Sequence, residues 1–221
     1  MKKHQKIILD LCGGTGAWSK PYADAGYDVR IITLPEFSTQ DVVFYDRHIR
    51  FVNQLHQGDD LHINADQVYG ILAAPPCTMF SMARTVAKTP RDMEGAMAVV
   101  RSCLEIIYYC QYENGRLQFW ALENPKARLR WFMGKPAMTF QPFQYGDPHS
   151  KRTDIWGNFN TDLKETPVEL NKKQRKQSHL NTRELPKIPE DYVMDTNMSR
   201  RAVARSITPS GFAEAFFKAN K

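Results

Sequence analysis

The segment that most limits how this chain can fold is Asp10-Leu-Cys-Gly-Gly-Thr-Gly-Ala-Trp-Ser19. Lys6 to Cys12 reads as a short buried strand that runs directly into Gly13, Gly14 and Gly16. Ala17 to Ala25 is a predicted helix stopped by Gly26, an ordinary C-terminal glycine. Tyr27 to Thr33 is β-branched and apolar, a second strand ended by Leu34-Pro35. A strand, glycine loop, helix and strand in that order open a doubly wound, mostly parallel α/β sheet. Glycines at such a turn let the backbone approach a ligand, and the helix N-terminus adds favourable donors. The same turn serves packing alone in many α/β folds. No Gly-Lys-Ser/Thr follows, so it is not a phosphate-binding P-loop.

Further on, strands are expected at Val42 to Tyr45, Ile49 to Val52 and Leu61 to Ile63, the last after a Gly58-Asp59-Asp60 turn. Val68 to Ala74 is an apolar strand leading into Pro75-Pro76-Cys77. Asp92 to Gln111 carries Met93, Met97, Val100, Leu104, Ile107 and Tyr108 at helical spacing. Leu117 to Leu122 is another buried strand, with Glu123-Asn124-Pro125 at its end. Past Gln144 the chain turns polar, with a late strand at Thr153 to Gly157 and a C-terminal amphipathic helix at Pro209 to Asn220. Residues 160 to 197 are rich in Lys, Glu, Asn and Pro, and read as a surface arm, a small subdomain or a mobile loop.

Composition narrows the class. With 221 residues, 42% of them hydrophobic, the chain can bury one sizeable core. The four cysteines form no Cys-x-x-Cys pair and are too sparse for a disulfide scaffold, which implies reduced thiols and a cytoplasmic location. The apolar run behind the basic N-terminus stops at Asp10, too short for a signal-peptide core, and no stretch is long enough for a membrane span. The formal net charge of +6 is compatible with a polyanionic partner without demanding one.

Two further motifs carry chemistry. Cys77 follows a buried strand, at the carboxyl edge where α/β sheets bind ligands, and Pro75 and Pro76 stiffen its loop. An ordinary thiol ionises near pH 8.5 or so, and a nucleophilic cysteine needs local help to do so. A structural role suits Cys103 and Cys110 on the long helix better than Cys77. Glu123 ends the next strand in sequence, and by itself fits a helix-capping acid as well as a catalytic one. A nucleophile and an acid on consecutive strand ends form a catalytic arrangement.

The ordered set of Asp-Leu-Cys-Gly-Gly-Thr-Gly, Pro-Pro-Cys and Glu-Asn-Pro resembles the cytosine-C5 DNA methyltransferases in their compact phage-type form. Tyr145-Gly-Asp-Pro-His-Ser-Lys-Arg-Thr-Asp154 is similar to that family's Gly-x-Pro-Gln-x-Arg-x-Arg block, and Arg205-Ser-Ile-Thr-Pro-Ser-Gly-Phe-Ala213 to its late cofactor-side segment. The resemblance implies a Rossmann-like class I S-adenosylmethionine-dependent methyltransferase fold. It divides the chain into a catalytic and cofactor-binding core at 1–159, a polar arm or reduced target-recognition region at 160–198, and a C-terminal segment at 199–221 that packs back on the core. It implies that Cys77 adds to C6 of cytosine while Glu123 bonds N3 and the exocyclic amine. Lys151 and Arg152 would contact the base O2 or a phosphate. S-adenosylmethionine would be held by Asp10, Cys12, Gly13, Gly14, Thr15, Gly16, Trp18, Thr33, Glu36, Pro75 and Ser206, with Pro75 flanking the adenine. The implied partner is DNA, duplex or single-stranded, and a duplex base must first be flipped out.

This sequence departs from the family pattern at four places. Pro125 stands third in the Glu-Asn-Val triplet. Thr33-Leu34-Pro35 stands where an acid for the ribose hydroxyls is expected, leaving Glu36 as a substitute. His149 replaces Gln, and Lys151 and Thr153 replace the Arg-x-Arg pair with Arg152 between them. Only about 40 polar residues follow that block, against the roughly 1,000–2,500 Å² that a specific protein–DNA interface buries. A short or relaxed sequence preference, help from a protein partner, or a single-stranded substrate follows from that. Basic charge collects in 126–152, where six cations face one acid, Asp147, and in Asn171 to Gln177, with four cations and no acid. His48, His56, His62 and His179 show no metal-ligand spacing, and Tyr108, Tyr109 and Tyr112 are expected to pack on the core. Two other readings remain: the same chemistry on a free pyrimidine nucleotide or RNA, and a catalytically silent relative that binds nucleic acid or another protein.

Overall fold

A computed structural model describes residues 6–82, 84, 88–113, 115–172, 174, 185–195 and 198–221. Residues 7 to 11, Ile-Ile-Leu-Asp-Leu, are buried on both faces and form β1, Ile7–Leu11, as expected for an interior parallel strand. It pairs in parallel with β2, Asp28–Ile32, on one side and β6, Val68–Ala73, on the other. β7, Phe119–Pro125, continues the parallel set beside β6. β9, Thr153–Asn158, then runs antiparallel between β7 and β8, Met138–Phe140. The six-stranded sheet therefore has the order β2-β1-β6-β7-β9-β8 and is parallel but for β9. From β1 the chain winds outward to β2 and then returns to the other side of β1. The switch point lies between β1 and β6, where open α/β sheets form their binding crevice.

Side chains alternate along the sheet and feed two cores. On one face Ile7, Leu9, Leu11, Ile71, Ala73, Leu122 and Trp156 pack with α2, Met93–Glu113, through Val100, Cys103, Ile106, Ile107 and Cys110. On the other, Ile8, Leu72, Phe119, Ala121 and Ile155 pack with α1, Lys20–Asp24, and with α5, Ser210–Ala219. Phe140 and Phe212 stack at 3.6 Å between ring centres within this second core. The sheet is thus a filled middle layer, and its strand ends are what remain for chemistry.

The segment from Phe37 to Asn64 forms a separate antiparallel sheet of β3, Phe37–Tyr45, β4, His48–Asn53, and β5, Leu61–Asn64. It packs on α2, with Ser102 Oγ donating to Thr39 Oγ1 at 2.9 Å and the Phe44 and Tyr109 rings 4.6 Å apart. The expected strands exist there, but β3 begins five residues earlier and none joins the main sheet. The first helix is also shorter than Ala17–Ala25: residues 17–19 remain in turns, and Pro21 enters the helix at its first turn. Elements not anticipated include the single helical turn α3, Arg130–Met133, the three-residue β8, and α4, Arg200–Ser206. α4 begins at Ser199, whose side chain accepts the Ala202 amide. Of the three tyrosines on α2, only Tyr109 packs; Tyr108 and Tyr112 are exposed. Among the described residues no helix is long and apolar enough to cross a membrane.

The C-terminal helix is docked by close backbone approach. A Cβ on Gly211 would stand 1.6 Å from the Tyr145 carbonyl oxygen, while the Gly211 amide donates to Asp147 Oδ2 at 3.3 Å. Gly211→Ala is expected to cost roughly 1–3 kcal/mol in urea unfolding through forced displacement of α5. Gly115→Ala, with open space around its Cβ, is expected to be near neutral.

Candidate functional site

At the switch point the first feature is the glycine loop. Beyond β1 the Cys12 amide donates to the Ile32 carbonyl at 2.7 Å, and Cys12 itself takes a positive φ of 55°. The Gly16 amide closes the turn onto the Gly13 carbonyl at 2.9 Å. Asp10 is fully buried beneath this turn. Its Oδ2 accepts the Ser19 hydroxyl at 2.5 Å, and its Oδ1 has no hydrogen-bond partner among the described residues. A Cβ on Gly13 would fall 2.4 Å from the Asp10 carboxyl carbon, so only glycine lets the loop lie against that carboxyl group. A Cβ on Gly16 would fall 2.5 Å from Ile31 Cδ1, and Ile31 is 37% exposed on β2. Burial pushes the Asp10 carboxyl up to about 6, against the opposing Ser19 hydrogen bond. A buried carboxylate with one orphan oxygen beside partly exposed backbone can take a cationic, donor-bearing group.

The next wall comes from β6 and β7. The Ala74 amide donates to the Leu11 carbonyl at 2.9 Å, carrying the chain past β1 into buried Pro75. Asn124 Nδ2, itself fully buried, donates to the Pro75 carbonyl at 2.9 Å and ties the two strand ends together. Cys77 opens a turn in which its carbonyl accepts from Phe80 at 3.1 Å and Ser81 at 2.8 Å. The Arg91 guanidinium donates to the carbonyls of Met79 and Ser81 and braces that turn.

Charge converges on this edge. The Cys77 thiol is half-buried, and its pKa is raised by burial and by the Glu123 carboxylate, while Lys151 and Arg205 pull it down. The Glu123 carboxyl is also raised, first by burial and then by Asp154, while Lys151 opposes both. Lys151 therefore favours the charged form of both groups. Its Nζ reaches the Arg205 carbonyl at 3.5 Å, which joins α4 to the site. Asp154 is fully buried but neutralised: Arg130 grips it through Nη2 at 2.6 Å and Nε at 2.5 Å, and Thr139 Oγ1 donates at 2.7 Å.

The expected residues divide accordingly. Asp10, Gly13, Gly14, Thr15 and Gly16 form the loop, Pro75 and Cys77 the second strand end, Glu123 the third, and Lys151 faces Cys77 and Glu123. The remaining expected residues sit differently. The Cys12 side chain turns inward, with Sγ 4.0 Å from Cys103 Sγ and 3.9 Å from Thr39 Oγ1, so only its backbone lines the loop. Trp18 is 2% exposed and packs on Phe212 and Phe216, which makes it a support of the loop from within the aromatic core. Glu36 accepts Asn53 Nδ2 at 3.3 Å and so leans toward the small sheet, while the Thr33 carbonyl accepts the Phe37 amide at 2.9 Å in the intervening turn. Arg152 lies apart from Lys151, at a cavity it shares with Lys126, Arg130 and Lys135. Ser206 is exposed at the end of α4, its hydroxyl donating to the Val203 carbonyl at 2.8 Å. His179, and most of the basic run in 171–177, lie outside the described residues.

Sequence reasoning missed the roles of Asn124, Arg205, Ile31 and Tyr192. Asn124 and Arg205 lay inside quoted motifs. Ile31 and Tyr192 had no sequence signal; the Tyr192 hydroxyl, from the polar arm, lies 4.0 Å from where a Cβ on Gly14 would stand. No protein-family model matches the chain, and no curated protein matches it.

Two titrations test this electrostatic picture. Iodoacetamide alkylation of Cys77, read by peptide mass spectrometry, is expected to rise with pH to a midpoint above the usual thiol range of roughly 8.5. Lys151→Met is expected to move that midpoint higher. The raised Asp10 carboxyl favours folding fully below its ordinary 3.8, and this contribution is lost as pH rises through about 6. Asp10→Asn does not titrate and still accepts from Ser19. It is expected to gain on wild type by ~2 kcal/mol between pH 4 and pH 7 in urea unfolding.

Proposed function

We propose that the chain is a DNA cytosine-5 methyltransferase that uses S-adenosylmethionine and a covalent cysteine adduct. The observation that carries this reading is the joining of the Cys77 and Glu123 strand ends by the Asn124–Pro75 hydrogen bond, with Lys151 acting on both groups. The glycine loop one strand away, at the switch point, supports it further.

The cleft residues fit the cofactor. Asp10 Oδ1 is a buried acceptor without a partner among the described residues, suited to an α-ammonium. Gly13, Gly14 and Thr15 offer partly exposed backbone to the amino-acid portion, and Ile31 offers an apolar surface. Glu36, the first acid after β2 in sequence, would reach the ribose hydroxyls by giving up its Asn53 contact. Bound S-adenosylmethionine would supply an electrophilic methyl group on a sulfonium, to which a nucleophilic carbon can bond as the neutral thioether leaves.

The chain's residues act on the base. C5 of cytosine is a poor nucleophile until a thiolate adds to C6. Cys77 Sγ forms that bond, and the C5=C6 π electrons shift onto the ring. Glu123 stands at the adjacent strand end to hydrogen-bond N3 and the exocyclic amine and stabilise the charge. Its raised pKa favours the protonated, donating form that N3 requires. After methylation C5 loses its proton, the C5=C6 bond re-forms and Cys77 leaves as the thiolate. Lys151 keeps that thiolate accessible in a half-buried setting that would otherwise suppress it.

Methyl transfer is checked with tritium-labelled S-adenosylmethionine, offering duplex DNA, single-stranded DNA, RNA and free cytidine nucleotides as acceptors. Label is expected in DNA. Cys77→Ser is expected to abolish transfer, and Glu123→Gln to lower it at least about 100-fold. Transfer that survives intact in Cys77→Ser would defeat the mechanism.

A further inference from the structure

Beyond the third strand end lies α3, Arg130–Met133, a single helical turn whose anchoring uses only part of its surface. Leu129 is fully buried beneath it, and Arg130 is committed to Asp154. The remaining direction presents Trp131, 75% exposed, and Phe132, 51% exposed. These are large rings to leave in water on a core that buries so many others. Both are held in place. The Arg128 guanidinium lies 5.3 Å from the Trp131 ring centre, and the Phe132 ring meets Phe80 edge-on at 6.4 Å. The Arg128 amide donates to the Phe80 carbonyl at 3.4 Å, so the rings are attached to the turn that begins at Cys77.

The surroundings are cationic. On the Arg130 side of α3 is a cavity of about 570 Å³ lined by Lys126, Lys135 and Arg152 together with Gln141 and Gln144. Among the described residues, Lys126, Lys135 and Arg152 have no acidic partner. The cavity begins at the catalytic edge, since the Lys126 amide donates to the Arg152 carbonyl at 2.9 Å, three residues past Glu123 and one past Lys151. A protein partner of ordinary composition would explain the rings but not the uncompensated cations. A duplex would satisfy the cations but offers no free base face to the rings. Exposed aromatics set among backbone-binding cations match an unpaired nucleic-acid strand, where bases stack and phosphates pair with Lys and Arg.

We propose that Trp131 and Phe132 form a base-stacking platform, with Lys126, Lys135 and Arg152 as its phosphate contacts, and that the substrate strand enters the site as single-stranded DNA. The choice of DNA rests on the methyltransferase reading; the platform itself does not. Such a substrate also avoids the unpairing cost of flipping a base from a duplex.

The test uses the full-length Cys77→Ala protein without cofactor, so it reads binding whether or not methyl transfer occurs. Anisotropy of a fluorescein-labelled 12-nucleotide single strand is compared with that of its duplex, alongside intrinsic tryptophan fluorescence. Trp18 and Trp156 are buried and Trp120 is half-buried, so Trp131 is the ring open to quenching by a stacked base. The single strand is expected to bind more tightly than the duplex and to quench tryptophan emission. Trp131→Ala is expected to weaken single-strand binding roughly ten-fold or more, while Trp131→Phe, which keeps a stacking ring, retains it. Lys135→Gln with Arg152→Gln is expected to reduce the slope of log affinity against log salt by about 1.4. Unchanged single-strand affinity in Trp131→Ala would overturn the platform. So would equal binding of the duplex, or a self-association seen by light scattering that Trp131→Ala abolishes. Tighter binding of single-stranded RNA would overturn the choice of DNA. A failed methyl-transfer assay with this binding intact counts against the enzyme reading alone.

Discussion

The hydrogen bond from buried Asn124 Nδ2 to the Pro75 carbonyl decides whether this strand edge is a site or merely two loops. β6 and β7 are adjacent and parallel, so their carboxyl ends emerge side by side, but pairing ends at Ala73 and Leu122. Past that register Glu123 is held by the β7–β9 ladder and Ala74 by β1, and Cys77 lies beyond both. The Asn124 amide bridges the gap in a dry setting, where a satisfied polar contact is strong and a lost one expensive. Arg91 performs a similar task on the far side, gripping two carbonyls of the Cys77 turn.

Buried charge follows a consistent logic across the sheet. Asp154, beside Asn124 in the β7–β9 ladder, is matched by a two-point Arg130 grip and by Thr139. Among the described residues Asp10 has only Ser19, and its second oxygen has no partner. One carboxylate is held by a matched cation, while burial raises the other. Such unmatched groups collect where a ligand completes the pairing. Glu123 lies between these cases, balanced by a lysine that also acts on the thiol.

Much of the fold could be read in the sequence where a segment is buried on both faces. β1, β6 and β7 are near-continuous apolar runs, and α2 shows its period through Val100, Cys103, Ile107 and Cys110. The small sheet was legible as strands but not in its placement. Partnering among β3, β4 and β5 is non-local, and nothing in their pattern distinguishes a covering sheet from an extension of the main one. β8 is three residues long and exists through its pairing with β9. In the site, Cys77 lies past the end of β6 as the sequence suggests, whereas β7 runs on to Pro125 and holds Glu123 within its ladder with β9. The division between Lys151 and Arg152 was not legible, because both lie in irregular backbone before β9, where no strand period sets a direction. Trp18 illustrates the same limit: an aromatic next to a glycine loop can face the ligand or the core, and contact with Phe212 and Phe216 from the far end of the chain settles it.

The platform proposed on α3 would make the edge at Cys77 one end of a basic, aromatic track. The central claim remains the bond between Cys77 and a pyrimidine ring, and it can be observed directly. A cytosine bearing fluorine at C5 has no C5 proton to lose after methylation, so elimination is blocked and the sulfur–carbon bond persists. The chain is incubated with S-adenosylmethionine and a DNA oligonucleotide containing 5-fluorocytosine, then analysed intact and by peptide mass spectrometry. The account predicts a species heavier by one methylated oligonucleotide, with the added mass on the peptide carrying Cys77 and none in Cys77→Ser. A folded protein that methylates ordinary cytosine yet forms no such adduct, or forms it on another residue, would contradict it.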